Sequence, residues 1–163
     1  MVTKSEIIDL LTTTGVWHEI TEHPAVFNMA EMSELDLPYP EADAKNIFVR
    51  DDKKRNYYLI TVRGDKKVDL KKFRDRHGTR SLSFASEADL QALLGLGPGS
   101  VTPLGLLNDA THKVPLYLDQ DFMSGSAVIG VHPNENTATV WLNTDDLVKL
   151  IQRHGNQVHI VEI

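Results

Sequence analysis

Seven histidines are the most versatile chemical groups in this chain, and their spacing argues against a metal site. No two of them stand four residues apart on a predicted helix, and none is accompanied by a carboxylate in the order that zinc hydrolases use. The chain has no cysteine, which excludes a thiolate metal site, a thiol nucleophile and a disulfide framework. We therefore expect chemistry without a metal ion or another cofactor. The histidines are His18, His23, His77, His112, His132, His154 and His159.

Two motifs of common enzymes are absent or incomplete. The nucleophile elbow of serine hydrolases, Gly-x-Ser-x-Gly, does not occur. Three glycines alternate over residues 95–99, but they lack the spacing and the following lysine of a phosphate-binding P-loop. Pro98 also removes one of the main-chain donors that such a loop needs. Taken alone, this segment predicts a turn.

Positive charge is concentrated in one part of an acidic chain. The formal net charge is −6, yet residues 45–80 hold 13 Lys and Arg against 5 Asp and Glu. A basic surface on an acidic body would attract the phosphate backbone of RNA and repel it elsewhere. The alternative interpretation is a solvated face that only keeps the protein soluble.

The elements that must position these groups alternate irregularly between helix and strand. Length (163 residues, 18.3 kDa) and 41% hydrophobic residues predict one compact domain over 1–163, of mixed α/β class with a central mixed β-sheet flanked by helices. No apolar run is long enough to span a bilayer, so we expect a cytoplasmic protein without membrane contact. Helices are predicted over 4–14, 26–35, 69–77, 86–94 and 144–154, and strands over 16–21, 46–50, 57–63, 81–84, 114–118, 127–131, 137–142 and 158–161.

Five segments, in order along nearly the whole chain, carry a resemblance to a known family. They are AKNIFVRD (44–51), RGDKKVDL (63–70), LSFAS (82–86), GSVTPLGLLND (99–109) and HP followed by NTAT (132–139). Together they resemble the free-standing aminoacyl-tRNA deacylases related to the editing domain inserted in bacterial prolyl-tRNA synthetases. The resemblance is greatest to the type that clears alanine from mischarged proline tRNA.

The resemblance implies an active site between the strand that begins near Lys45 and the loop 99–103. Lys45 would hold the 3′-terminal adenosine of tRNA or its phosphate, and Asn46 would order the adjoining main chain. The loop would bring main-chain N–H groups to the ester carbonyl, and for His132 a structural and a positioning role stay open. The implied catalytic set is Lys45, Asn46, Gly99, Ser100, Val101, Thr102, Pro103 and His132.

Two further sets of residues are candidates for binding the substrate. A small pocket that rejects larger amino acids would be walled by Val26, Met29, Met32 and Phe48, although ordinary core packing explains each residue equally well. The tRNA body would contact Arg50, Lys53, Lys54, Lys66, Lys67 and Arg80.

The expected function is a trans-editing hydrolase that cleaves the aminoacyl ester of mischarged tRNA. The leading candidate for its substrate is alanyl-tRNA(Pro). Such an ester is labile, so main-chain donors for the oxyanion and a positioned water or tRNA hydroxyl are sufficient. Prolyl-tRNA synthetase is a possible protein partner, and no DNA partner is expected. Two alternatives stay open, namely a deacylase for another small amino acid such as cysteine, and a non-catalytic RNA-binding or synthetase-associated module.

Overall fold

The computed structural model describes residues 1–163 as five α-helices, eight β-strands and three short 3₁₀ turns. The helices are α1 (Lys4–Thr14), α2 (Met29–Ser33), α3 (Leu70–His77), α4 (Glu87–Leu94) and α5 (Thr144–His154). The strands are β1 (His18–Glu22), β2 (Ala44–Asp51), β3 (Tyr57–Arg63), β4 (Leu82–Phe84), β5 (Leu116–Asp119), β6 (Val128–Val131), β7 (Ala138–Asn143) and β8 (Val158–Val161). None of the helices is long and apolar enough to cross a membrane.

The strands form two sheets, of which the larger is a mixed β-sheet, and this confirms the predicted mixed α/β class. Five strands pair in the order β4-β2-β3-β5-β8, with antiparallel neighbours on one side of β3 and parallel neighbours on the other. The remaining three pair antiparallel in the order β1-β7-β6. A single parallel bridge between Asp43 and Gly130 joins the two sheets where β2 begins. This junction is where the candidate site lies.

Local signals set most element boundaries. At α1 the hydroxyl of Thr3 accepts from the N–H of Glu6 while the Glu6 carboxylate accepts from the N–H of Thr3, as the capping box predicts. The side chains of Asp69 and Ser86 accept main-chain N–H groups and so cap α3 and α4, and β2 and β3 form the predicted hairpin, paired from Ala44 and Arg63 to the turn.

The predicted start of the second helix is wrong, because a tertiary contact takes Val26. The second helix covers five residues instead of ten, because Val26 is extended and exchanges two hydrogen bonds with Asn136. Asn28 then caps the helix. Helix α5 covers the predicted residues 144–154, with Asn143 at the cap position, and the hydroxyl of Thr144 donates to the main-chain oxygen of Phe122.

Most of the core lies between the two sheets and beneath three of the helices. A cluster of 21 buried side chains joins α1, α4 and α5 to the inner faces of both sheets. A smaller cluster lies on the outer face of the large sheet, where Phe73 of α3 covers Val49, Ile60 and Val62. Because both faces of the large sheet are covered, a site can form only at the ends of its strands and at its junction with the small sheet.

Candidate functional site

A cavity of about 510 Å³ opens at the junction of the two sheets. Its walls come from the start of β2, the turn after β3, helix α2, the loop 99–101 and the end of β6. On the small sheet, Gly130, His132 and Thr139 share the face that looks away from the large core cluster. The resemblance predicted a site between the Lys45 strand and the loop 99–103, and both segments line this cavity.

Three of the four predicted pocket residues line the cavity. Val26, Met29 and Met32 form one wall, and the methyl group of Met29 lies over Gly64, where any side chain would displace it. Phe48 does not reach the cavity, which corrects the fourth assignment. It lies two residues beyond Asn46 on the same face of β2, about 7 Å further into the protein, where it stacks on Tyr57.

Lys45 and Asn46 enter the cavity from neighbouring positions of β2. The Lys45 ammonium donates to the main-chain oxygen of Lys66 (3.2 Å), and no carboxylate forms an ion pair with it. Its charge is therefore available to an anionic ligand. The amide oxygen of Asn46 accepts from the Thr61 hydroxyl (2.6 Å), so Asn46 ties β2 to β3 through a side chain and its NH₂ group makes no hydrogen bond to the protein.

Two of the five residues of the loop 99–103, Gly99 and Val101, line the cavity. Gly99 has φ +85°, and a side chain there would collide with Phe27, whose ring lies against it. The N–H groups of Gly99 and Val101 donate no hydrogen bond within the protein, and both residues line the cavity. The N–H of Ser100 is occupied, since it donates to the Gly97 oxygen (3.1 Å).

The other two loop residues hold the loop in place and do not line the cavity. The buried Thr102 hydroxyl accepts from the N–H of Leu104 and donates to the main-chain oxygen of His132 (2.7 Å). Pro103 is buried at the first position of the following 3₁₀ turn. Thr102 therefore fixes the distance between the loop and His132.

His132 is held as a neutral imidazole. Its Nδ1 donates to the main-chain oxygen of Ala138 (3.0 Å), and because a carbonyl only accepts, Nδ1 carries the proton. Nε2 makes no hydrogen bond within the protein and is left with a lone pair. Burial, reinforced by nearby His23, lowers the pKa of His132 below its ordinary value of 6.5, so the ring is uncharged at neutral pH.

His23 and Thr139 support this arrangement and were not singled out from the sequence. The rings of His23 and His132 are 6.0 Å apart. Nδ1 of His23 donates to the main-chain oxygen of Pro24, so Nε2 accepts from the hydroxyl of Thr139 (2.9 Å), a residue that lines the cavity. The contact spans 116 residues of sequence, and no local pattern predicts it.

Asp43 is another cavity residue that sequence reasoning missed. It precedes β2 at the bridge to Gly130, is 7% exposed, and lines the cavity. Burial raises the pKa of its carboxyl from 3.8 to about 7, opposed only by the N–H of Ala44. No three His, Asp or Glu side chains converge so as to hold a metal ion, so Asp43 has no companion ligands.

The six predicted tRNA contacts fall into two groups separated by the length of β2. Lys53 and Lys54 occupy the turn at its far end, about 20 Å along the strand from Lys45, whereas Lys66 and Lys67 lie beside the cavity. Two of the six cations are already paired. Lys66 lies 2.7 Å from both Asp119 and Asp121, and Arg80 forms a two-point contact with Asp52.

Arg50 makes a local contact, donating to the main-chain oxygen of Asp51 (3.1 Å). Lys53, Lys54 and Lys67 form no ion pair with a carboxylate. The positive charge that an RNA could meet is consequently smaller than the lysine and arginine count suggests.

Residues 23–150 match the model of the aminoacyl-tRNA editing domain. The chain belongs to this family. It is 38% identical over 163 residues to the prolyl-tRNA editing protein ProX of Acetoanaerobium sticklandii, covering 100% of this chain and 99% of that one. The prolyl-tRNA synthetase associated domain-containing protein 1 of Mus musculus is 33% identical over 94% of this chain and 92% of its own length. A crystal structure of a candidate trans-editing enzyme for prolyl tRNA synthetase superposes with a TM-score of 0.68 at 22% identity, over 98% of this chain and 96% of that one.

Membership of the editing-domain family confirms the family prediction and the enzyme class. The protein is an aminoacyl-tRNA deacylase, an ester hydrolase, and the matched region contains the whole cavity wall, from Val26 to Thr139. The solved structure supports the fold alone. The roles of individual side chains in the editing domain rest on the geometry described above.

Proposed function

We propose that this deacylase acts in trans on alanyl-tRNA(Pro), releasing alanine and the uncharged tRNA. The observation that carries the reaction is a cavity lined by a neutral His132, whose Nε2 makes no hydrogen bond, and by Gly99 and Val101, whose N–H groups make none either. The choice of proline tRNA is supported by the relative named a prolyl-tRNA editing protein. The choice of alanine is supported by the methionine wall of the cavity.

The proposed hydrolysis needs no covalent intermediate. The N–H groups of Gly99 and Val101 hold the ester oxygen as it becomes negative, and a water attacks the carbonyl carbon. Nε2 of His132 accepts a proton from this water, and the neighbouring ribose hydroxyl helps to position it. The bond from the carbonyl carbon to the ribose oxygen then breaks, and the proton passes to that oxygen. Lys45 holds the terminal adenosine or its phosphate during these steps.

Size exclusion by Met29 and Met32 explains why the correct prolyl ester would survive. A synthetase pocket built for proline rejects a smaller amino acid by only about 1 to 3 kcal/mol per missing methylene, which is too little for accurate translation. A second pocket that admits only the smaller group corrects the error. Cysteine is the second candidate, because its side chain is also smaller than the proline ring.

Docking of tRNA is proposed to use Lys67 at the cavity and Lys53 and Lys54 at the far end of β2. Reversing Lys53 and Lys54 to Glu should weaken tRNA binding and flatten its salt dependence by roughly 0.7 to 0.9 in log–log slope for each phosphate that these lysines neutralise. The matched control reverses the exposed Lys113 and Lys149. Equal effects of the two double variants would show that the basic segment only solvates the surface. Lys66 is left unchanged because a Glu there would face the buried Asp119.

The deciding experiment measures the release of free amino acid from alanyl-, cysteinyl- and prolyl-tRNA(Pro). We expect alanine to be released and proline to be retained. Faster release of cysteine than of alanine would reassign the substrate. No release from any of the three, with tRNA still bound, would support the non-catalytic RNA-binding module. Association with prolyl-tRNA synthetase is a separate proposal, tested by co-purification of the two proteins with and without tRNA.

A further inference from the structure

Asp43 is a buried carboxylate that the proposed hydrolysis does not use. Its main-chain oxygen accepts from the N–H of Gly64 (2.9 Å), and its bridge to Gly130 joins the two sheets, so its position is fixed from both sides. The side chain is nearly enclosed yet lines the cavity. No Lys, Arg or His forms an ion pair with it, and Lys45 directs its ammonium to the oxygen of Lys66.

An enclosed carboxylate without a cation is unfavourable in the free protein. Ionised groups taken out of water cost several kcal/mol unless a partner of opposite charge and hydrogen bonds replace the solvent. The raised pKa of Asp43 results from that cost. A ligand that brings a cation into the cavity would offset the cost of ionising Asp43.

The substrate of an aminoacyl-tRNA deacylase carries such a cation beside the bond to be broken. The α-ammonium group is attached to the carbon next to the ester carbonyl. Gly130, which bridges Asp43, is two residues from His132, which corresponds to about 7 Å along the strand. A carbonyl and a water near His132 therefore leave the adjacent amino group within reach of Asp43.

We propose that Asp43 binds the α-ammonium group of the aminoacyl ester and thereby orients its carbonyl toward Gly99, Val101 and His132. This inference rests on the proposed function, since it concerns the same substrate in the same cavity. It adds a chemical requirement that size exclusion does not contain. The cavity selects esters that are small and that carry a free α-amino group.

The test compares two tRNA esters that differ only in that group. Alanyl-tRNA(Pro) carries an α-amine, and lactyl-tRNA(Pro), made from it by deamination with nitrous acid, carries a hydroxyl of similar size. A hydrogen bond between charged groups contributes about 1.5 to 3 kcal/mol, so kcat/KM of the Asp43→Asn variant on the alanyl ester should fall about 10- to 150-fold. On the lactyl ester the loss should stay below about 3-fold, since no ammonium is present.

A matched control and a second variant make the test decisive. Asp9→Asn replaces an exposed carboxylate on α1 and should leave both substrates unaffected. Asp43→Ala should repeat the pattern of Asp43→Asn, with the same loss confined to the alanyl ester.

Equal losses on both esters would overturn the inference and assign Asp43 to the chemical step, and unchanged rates on both would overturn it as well. If the unaltered protein hydrolyses neither ester, the proposed function fails and the inference fails with it. Hydrolysis of both esters by the unaltered protein with no substrate-dependent loss in the variants refutes the inference alone.

Discussion

Replacing Asp43 by Asn should stabilise the protein at alkaline pH. The side chain is 7% exposed, and burial raises its pKa from 3.8 to about 7. Between these two values the folded protein holds a proton that the unfolded chain has released, so the free energy of unfolding falls as pH rises. Asn has nearly the same shape and no proton to lose. The difference between the two proteins should therefore grow with pH.

The size of the effect follows from the pKa of Asp43. About three units at 1.36 kcal/mol each give a difference in the free energy of unfolding of about 4 kcal/mol at pH 8. At pH 5, which is only about one unit above the pKa of 3.8 in the unfolded chain, the expected difference in the free energy of unfolding is about 2 kcal/mol. Because both proteins carry the same remaining carboxylates, their other pH-dependent contributions cancel in the comparison.

The assay is urea unfolding of the original protein and of Asp43→Asn at pH 5, 6.5 and 8, followed by far-UV circular dichroism. Linear extrapolation gives the free energies, and equal m-values show that the exposed surface is unchanged. Asp9→Asn serves as the control and should show no difference that depends on pH. A variant that is less stable at pH 8, or a difference independent of pH, would refute the interpretation of Asp43 as an unpaired buried carboxylate. Together with the ester comparison, the expected result is a gain in stability and a loss of activity from one substitution.

Three further predictions concern the rest of the cavity. Lys45→Ala should lower deacylation at least about tenfold and change stability by no more than about 0.5 kcal/mol, because its charge forms no ion pair; unchanged turnover would remove Lys45 from the site. Met29→Ala or Met32→Ala should admit the prolyl ester, measured as proline released from prolyl-tRNA(Pro), and continued rejection by both variants would place the wall elsewhere. On lactyl-tRNA(Pro), which has no ammonium group for Asp43 to bind, activity should decline on the acid side with a midpoint below pH 6.5, where His132 gains its proton, and His132→Gln should remove that limb; a midpoint above 6.5 would exclude His132 as the titrating group.

Several signals that act over a few residues were sufficient to predict the local structure. The capping box of Thr3 and Glu6 starts α1, Asp69 starts α3, and the strands predicted over 46–50 and 57–63 pair as a hairpin. Each of these contacts joins residues close in the chain. The five segments carried the family for a different reason, since they matched in order over nearly the whole length.

The environment of the cavity depends on contacts between residues that are far apart in the sequence. The spacing of residues along the chain does not predict these contacts. Phe48 is an apolar residue of the kind that lines a small pocket, but its position along β2 places it in the core, where it stacks on Tyr57. Lys66 has the charge of an RNA contact, but Asp119, far along the chain, already pairs with it.

Asp43 shows the same limit most clearly. In the sequence it is one of 23 acidic residues, and nothing in its neighbours sets it apart. Only the bridge to Gly130, 87 positions away, encloses its carboxyl at the junction of the two sheets. The cost of burying a charge depends on which groups surround it in space. For this protein the sequence determined the type of enzyme and its helices and strands, whereas the tertiary structure decided which side chains lose their solvent and become available to a substrate.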